Sequence, residues 1–161
     1  MSSLEQYLTL RIGEAIYGIS VGKVREVVSY TPPTPMPNSS PCMIGVIKLR
    51  GSAVPVLDLR LKFGLSETVA TVDTCIIILE LVEGDGKHTL IGITADMVQQ
   101  VAEFEEEDLE PPPQLADGSS ADWIKAMARF EEGFVIILNI EETLGKDMLT
   151  TVDSHIPVDE E

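Results

Sequence analysis

The strongest constraint on the fold is that apolar residues come in short runs, and that these runs recur in order along the chain. Gly18, Ile19, Val24 and Val27 reappear 74 positions later as Gly92, Ile93, Val98 and Val101. Val54, Val56, Leu57, Asp58 and Leu59 reappear 81 positions later as Val135, Ile137, Leu138, Asn139 and Ile140. Proline-rich segments, 32–37 and 111–113, lie between the blocks in each half. Agreement in order across three blocks predicts two similar β subdomains.

The runs have the period and the turn residues of β-hairpins. Apolar residues in 7–12 and 16–19 flank Gly13-Glu14, and 75–82 and 90–94 flank the glycine-containing segment 83–87. Such glycines supply the positive φ that tight turns require. Each half therefore has about five short strands, which are too few for a sandwich but enough for a small barrel, whose closure removes exposed edges.

Helix is predicted at only two places. Asn139 precedes Glu142 by three residues, which is a capping-box spacing, and Leu144 and Leu149 would then face inward. Asp58 is positioned to cap one shorter turn that ends at Gly64. The acidic tail, residues 151–161, is expected to be loose.

The charge of the chain argues against several classes of binding partner. Twenty-seven acidic residues against eleven basic ones give a formal net charge of −16, so DNA, RNA and anionic membranes would be repelled. The acidic run 105–110 lacks the alternating ligands and central glycine of an EF-hand loop and is interpreted as solvated surface. The length of 161 residues fits a single domain.

Cysteine usage and the N-terminus favour the cytoplasm. Cys42 and Cys75 form no CxxC pair and are too few for a disulfide framework. Residues 1–6 are polar and lack the apolar stretch of a signal peptide. The longest apolar runs are five residues, far short of the ~20 that a membrane-spanning helix needs.

The sequence offers no catalytic residue, metal site or cofactor motif. GxSxG, HExxH and the phosphate-loop pattern are absent, and 84–87 is better explained as a hairpin turn. His88 and His155 have no second histidine or cysteine at ligand spacing. We therefore predict that the protein is not an enzyme.

One segment stands out. Gly45 and Gly51 bracket an apolar strand that ends in Arg50, so the glycines are expected to take bulge or positive-φ positions and Arg50 to point outward. Pro55 follows inside the next strand. Because proline has no N–H to donate, it predicts an edge strand or a bulge there, and an edge is also where a protein partner can dock.

This segment closely resembles a known family. The residues GVIKLRG (45–51), VPVLDLR (54–60) and KFG (62–64) are similar to the signature of the CheW-like coupling proteins. YGI (17–19), KVREV (23–27) and TPMPN (34–38) also match family stretches, so the resemblance runs from about residue 7 to residue 144.

The resemblance implies a fold and a role. The fold would be mainly β, with two similar five-stranded SH3-like barrels that are interleaved and share a hydrophobic core, a short C-terminal helix, and order over about residues 7–148. The role would be that of a non-catalytic adaptor that couples the cytoplasmic tips of chemoreceptors (methyl-accepting chemotaxis proteins) to the regulatory domain of a CheA-type histidine kinase. Binding alone would carry this signal-transduction function.

Matching positions imply a receptor-binding site, whereas the kinase-binding residues stay unassigned. The implied receptor site comprises Val24, Glu26, Val27, Gly45, Arg50 and Gly51. Val24 and Val27 would border a groove for a helix face, and the alternative is that both belong to the ordinary core. Glu26 and Arg50 are expected to pair. Glu110 stands where relatives often carry a basic residue, so its effect on the kinase surface is open.

Two alternatives stay open at this point. The chain could serve as a CheW-like scaffold in a non-flagellar pathway such as surface motility, or as an SH3-like module that binds nucleic acid or a small ligand. The net charge opposes nucleic acid, and the lack of convergent polar motifs weakens the case for a small ligand.

Overall fold

The structure is a computed structural model that describes residues 4–37, 40–82, 86–113 and 122–144. Within these residues it has eleven strands and two short α-helices, α1 at Leu59–Lys62 and α2 at 140–144. The strands are β1 (Glu5–Ile12), β2 (Ala15–Ser20), β3 (Val24–Ser29), β4 (Met43–Leu49), β5 (Ser52–Leu57), β6 (Cys75–Val82), β7 (His88–Ala95), β8 (Met97–Phe104), β9 (Leu109–Glu110), β10 (Ile124–Phe130) and β11 (Gly133–Leu138). The prediction of a mainly β protein is confirmed.

The strands form two sheets with one shared plan. The six-stranded sheet has the order β8-β1-β2-β11-β10-β9, and the five-stranded sheet has the order β3-β6-β7-β5-β4. Each contains one parallel pair, β2 with β11 and β5 with β7. Each sheet draws strands from both halves of the chain, so the two similar units are interleaved. The sixth strand, which was not predicted, is the two-residue β9.

Strand register confirms the sequence repeat. Gly18 pairs with Ile137 in the six-stranded sheet, and Gly92 pairs with Val56 in the five-stranded sheet. These are the residues that the offsets of 74 and 81 make equivalent. A Cβ added at Gly18 would lie 2.9 Å from Ile137 Cδ1, and one at Gly92 would lie 2.8 Å from Ile76 Cγ2. A side chain at either position would therefore force neighbouring side chains of the packed interior to shift.

Each sheet curls until its edges meet. In the five-stranded sheet, the chain leaving β3 returns so that Thr34 exchanges two 2.8 Å backbone hydrogen bonds with Val46 of β4. In the other sheet, β9 follows β8 and pairs with β10 through Glu110 and Met127. Thr34 lies in the first proline-rich segment, and Glu110 immediately precedes the second. These pairings occupy backbone groups that would otherwise lie exposed at an edge.

Three apolar clusters fill the molecule. One lies within each curled sheet, and the largest lies between the sheets, where β1 and β2 contribute Leu10 and Ile19 and β6 and β7 contribute Ile77 and Ile91, all fully buried. The expectation of a shared core is met by this central cluster. Burying such a side chain contributes roughly 1.5–3 kcal/mol, so the central cluster is a main source of stability. Cys75 belongs to it, as predicted.

The helix caps are mostly as predicted. Asp58 caps α1 by accepting a hydrogen bond from the Arg60 backbone N–H, and Gly64 follows with a φ of 83°. Asn139 Oδ1 accepts from the Glu142 N–H at 3.2 Å. The reciprocal half of the predicted capping box is not formed, since the Asn139 N–H donates to the Trp123 carbonyl. Leu144 is buried. Leu149, the last four residues of the expected ordered range (145–148) and the tail lie outside the described residues.

Pro55 was predicted to mark an edge strand or a bulge, and the edge-strand alternative is wrong. The register shift of the β4–β5 pair lies on β4, between Met43 and Gly45. β5 is an interior strand that pairs with β4 on one side and β7 on the other. Pro55 lies opposite Val46, and the parallel ladder with β7 begins one residue later, at Val56. Pro55, which lacks an N–H, therefore lies one residue before the β5–β7 ladder begins.

Candidate functional site

The site begins with the turn that joins β4 to β5. Leu49 pairs with Ser52, so Arg50 and Gly51 form a two-residue loop. Both have positive φ, 50° and 85°, which is the pattern of a type I′ turn and suits the twist of a hairpin. Gly51 adopts this conformation freely, whereas it costs Arg50 about 1–2 kcal/mol. The turn holds Arg50 outward, as predicted, and 71% of its side chain is exposed.

Arg50 forms a forked ion pair with Glu26 of β3, as expected. Its Nη1 donates to Glu26 Oε2, and its Nη2 donates to Oε1 at 2.8 Å. β3 and β4 are opposite ends of the sheet order, so the pair joins the two edges of the curled sheet. The Glu26 side chain is 24% exposed. The hydrogen bond from Arg50 is the largest influence and lowers the pKa of Glu26. Burial opposes it, and the positive charges of Arg50 and Arg25 lower the pKa further.

Arg25, next to Glu26, begins a second chain of polar contacts. It is the extra residue of a β-bulge, because Val24 pairs with Leu79 and Glu26 with Ile78. Its Nη1 donates to Glu80 Oε1 at 2.6 Å, and Glu80 Oε2 lies 2.6 Å from His88 Nδ1. The hydrogen bonds from His88 and Arg25 lower the pKa of Glu80. Arg25 and Glu26, two consecutive charged residues of β3, thus have different partners, Glu80 for Arg25 and Arg50 for Glu26.

Val24 and Val27 have different environments. Val24 is half-buried and packs against the central cluster, whereas Val27 is 42% exposed. Their equivalents behave alike: Val98 packs against the central cluster and Val101 is exposed. The pattern is thus a property of the duplicated fold. Of the two valines, only Val27 has a largely exposed side chain. It lies on the opposite face of β3 from Glu26, because Val27 pairs with Ile77 of the central cluster whereas Glu26 pairs with Ile78 of the cluster within the five-stranded sheet.

Gly45 has a structural role. It lies at a bulge in β4 with a φ of 151°, beneath the residue that closes the sheet. A Cβ at this position would overlap the Thr34 carbonyl oxygen, and it would lie 2.7 Å from the Thr34 carbonyl carbon and 2.9 Å from Pro33 Cβ. Gly45 therefore lets the proline-rich segment reach β4 and so fixes the hairpin that carries Arg50.

Asp58 and Arg60 of the DLR motif make their polar contacts within the chain. Asp58 is buried and accepts from the Arg60 N–H at 3.0 Å, the Thr68 N–H and hydroxyl at 2.8 Å each, and the Thr94 hydroxyl at 3.1 Å. Arg60 donates to the Ser66 carbonyl at 2.8 Å and pairs with Asp96 at 2.6 Å. This network fixes the segment that links α1 to β6.

Glu110, whose role was open, contacts a basic residue of its own chain. Arg129 of β10 pairs with the Glu110 carboxylate and donates to the Glu107 carbonyl at 2.7 Å. The contact ties the acidic segment 105–110 to the six-stranded sheet.

The described part of the chain offers no group of three or more His, Cys, Asp or Glu side chains placed to hold a metal ion. Within the same residues, no helix is both long enough and apolar enough to cross a membrane.

Of the six predicted residues, the structure thus joins Glu26 to Arg50 and places Gly51 in the same turn as Arg50. Val27 is exposed on the other face of β3, Val24 packs against the central cluster, and Gly45 lies against the Thr34 backbone. Sequence reasoning missed Arg25 and Glu80. One signal was available, since Glu80 is the only charged residue in the apolar run 75–82.

Comparisons with known proteins agree with this architecture. The CheW-like domain family model matches residues 6–148. The chain is 28% identical to a chemotaxis protein CheW of Klebsiella aerogenes over 93% of this chain and 87% of that protein. It is 24% identical to one of Rhizobium meliloti, with 88% of each covered. The crystal structure of the scaffolding protein TtCheW from Thermoanaerobacter tengcongensis superposes with a TM-score of 0.73 at 28% identity, covering 85% of this chain and 90% of that one.

Proposed function

The chain belongs to the CheW-like domain family and is a non-catalytic chemotaxis scaffold, and we propose that the surface around Glu26 and Arg50 is where it binds the cytoplasmic tip of a chemoreceptor. A different surface, whose residues stay unassigned, binds the regulatory domain of a CheA-type histidine kinase. Both contacts place the protein in the cytoplasm. No chemical step is required, because the function is to hold two partners together.

The forked Glu26–Arg50 pair is the observation that supports this proposal. An exposed ion pair contributes only about 0–1 kcal/mol to stability, so stability alone gives little reason for it. The positive φ of Arg50 is not part of this support, because Glu131 has a φ of 55° in the equivalent turn between β10 and β11. The turn and the pair together hold Arg50 in one orientation at the meeting edges of the five-stranded sheet.

The partner face fits one side of a helix. Arg50 keeps N–H donors for an acidic or carbonyl group on the partner. Receptor tips in this role are helical, and a helix that presents a carboxylate to the β4–β5 turn would match these donors.

The test measures both partners on matched variants. Arg50→Ala is expected to weaken binding of a receptor-tip fragment at least tenfold and to leave kinase binding within twofold. Arg129→Ala, which removes an exposed, ion-paired arginine from the other sheet, is the control and is expected to leave receptor binding unchanged. Equal receptor binding by wild type and a folded Arg50→Ala variant would contradict the proposal.

A further inference from the structure

The duplicated fold provides an internal comparison for the charged residues of β3. Arg25 is the extra residue of a β-bulge, and its equivalent at the offset of 74, Gln99, is the extra residue of a bulge in β8. Both side chains are exposed. The same kind of bulge therefore forms around a neutral amide, so the backbone at this position does not require a charge.

The equivalent positions in the six-stranded sheet cannot form the ion pairs of the five-stranded sheet. Glu26 corresponds to Gln100 at the offset of 74, and Arg50 corresponds to Glu131 at the offset of 81. Glu131 nevertheless has a φ of 55°, close to the 50° of Arg50, in a two-residue turn of the same kind. The bulge and the turn thus fold in the second copy without either ion pair. The charges of the first copy are therefore not needed for the fold and can serve binding.

Glu26 and Glu80 lie on the same face of the five-stranded sheet. Glu26 pairs with Ile78, and Glu80 follows two residues later on β6, so the two glutamates are diagonal neighbours with Cα atoms about 7–8 Å apart. Each carboxylate holds one arginine, Arg50 on Glu26 and Arg25 on Glu80. The pKa of Glu26 is lowered mainly by its hydrogen bond from Arg50 and also by the positive charge of Arg25. The two guanidinium groups are therefore held side by side on one surface.

Arg25 is held by one of its nitrogens and keeps its other donors. Its Nη1 donates to Glu80 Oε1 at 2.6 Å, and Glu80 Oε2 lies 2.6 Å from His88 Nδ1, so Glu80 is itself held in place. A guanidinium has five N–H donors, and among the described residues only Nη1 of Arg25 has a partner. The Arg25 side chain is 54% exposed. Arg25 can therefore donate to a carboxylate of a partner in an orientation that is set before binding.

We propose, resting on the receptor surface proposed above, that Arg25 is a second binding residue for the receptor tip and that Glu80 positions it. The surface then recognises two carboxylates of the receptor helix, one at Arg50 and one at Arg25. Residues four and seven apart on one face of a helix are separated by about 6 and 10 Å along its axis, which brackets the spacing of the two glutamates that hold the arginines. The recognised feature is thus a pair of acidic residues one to two turns apart.

Binding of a receptor-tip fragment to full-length variants tests the proposal. Arg25→Gln gives β3 the residue that β8 carries at the equivalent bulge, so the variant is expected to fold as the wild type does. We expect it to weaken receptor binding by about fivefold or more in 50 mM salt and by less than about twofold in 500 mM salt, because salt screens exposed charges. Arg129→Gln, which removes another exposed, ion-paired arginine, is the control and is expected to stay within about 1.5-fold of wild type at both salt concentrations.

Double-mutant cycles test the positioning role and the two-carboxylate feature. Glu80→Gln is expected to weaken receptor binding in the wild-type background and to add nothing in the Arg25→Gln background, because Glu80 acts through Arg25. On the receptor fragment, each acidic residue is replaced in turn by its amide. One replacement is expected to abolish the effect of Arg25→Gln, and a different one, one to two helical turns away, the effect of Arg50→Ala.

Different results would overturn this inference and the proposed function. Wild-type receptor binding by a folded Arg25→Gln variant, with weakened binding by Arg50→Ala, would overturn the role of Arg25 and leave the receptor surface in place. Unchanged binding by both variants would overturn the receptor surface itself. A loss that is equal at both salt concentrations, or equal for receptor and kinase, would show that Arg25→Gln acts on the fold. Loss of both effects at the same receptor position would refute recognition of two carboxylates.

Discussion

Replacing Gly45 with alanine separates backbone geometry from partner contact at this position. The added Cβ meets the Thr34 backbone and Pro33 Cβ, and none of these atoms can move without breaking the closure of the sheet. A residue forced into this φ region costs about 1–3 kcal/mol, and the overpacking costs about 1–3 kcal/mol more. Weakening the two Thr34–Val46 hydrogen bonds adds about 1 kcal/mol each. We expect a loss of about 4 kcal/mol of unfolding free energy.

Two other glycines provide graded controls. Gly51 has a φ of 85° but open space around it, so Gly51→Ala is expected to cost about 1–2 kcal/mol from backbone conformation alone. Gly22 has neither a positive φ nor a neighbour within 4 Å, so Gly22→Ala is expected to stay within about 0.5 kcal/mol of wild type.

Urea unfolding followed by far-ultraviolet circular dichroism measures the series. In a chain of this size, 4 kcal/mol corresponds to a drop in Tm of roughly 8–16 °C. A Gly45→Ala variant within 1 kcal/mol of Gly51→Ala would refute the steric argument. If such a stable variant also lost receptor binding, Gly45 would instead contact the receptor directly.

Three further results are expected. Because the pKa of Glu26 is lowered in the folded state, the stabilisation from its pair with Arg50 is fully present above pH about 4.5 and is lost as the pH falls through the lowered pKa. Thermal melts from pH 7 to pH 3 therefore show a smaller acid-induced loss for Glu26→Gln than for wild type, and equal losses would contradict this. Asp58→Asn loses about 2–3 kcal/mol by urea unfolding, because an amide cannot accept all four of its hydrogen bonds, whereas exposed Asp73→Asn changes stability by less than about 0.5 kcal/mol. Gly92→Ala costs about 1–3 kcal/mol by the same assay through overpacking against β6, and a neutral result would show that the sheet interior can yield.

The sequence predicted most of the fold because its signals are local or periodic. Short apolar runs with glycine turns gave the hairpins, and the recurring blocks gave two equivalent sheets, which strand register confirmed at Gly18 and Gly92. The edge-strand prediction from Pro55 failed because a residue without an N–H cannot donate to a strand ladder, but this does not say at which residue the ladder begins. The strand order that placed β5 inside the sheet depends on pairing with β7, over thirty residues further along the chain.

For the candidate site, too, the sequence predicted one part and the tertiary structure decided the rest. The residue types at Glu26 and Arg50, and the glycine turn after Arg50, can be found in the sequence through the family motif. That these two side chains meet across opposite edges of a curled sheet is decided only in three dimensions, as are the bulge that turns Arg25 toward Glu80 and the crossing of Thr34 over Gly45. Periodicity and turn chemistry act between neighbours along the chain, so the sequence by itself determined the strands and their duplication. Contacts between edges depend on how far each sheet twists and closes around its core, and that is a property of the whole packed structure.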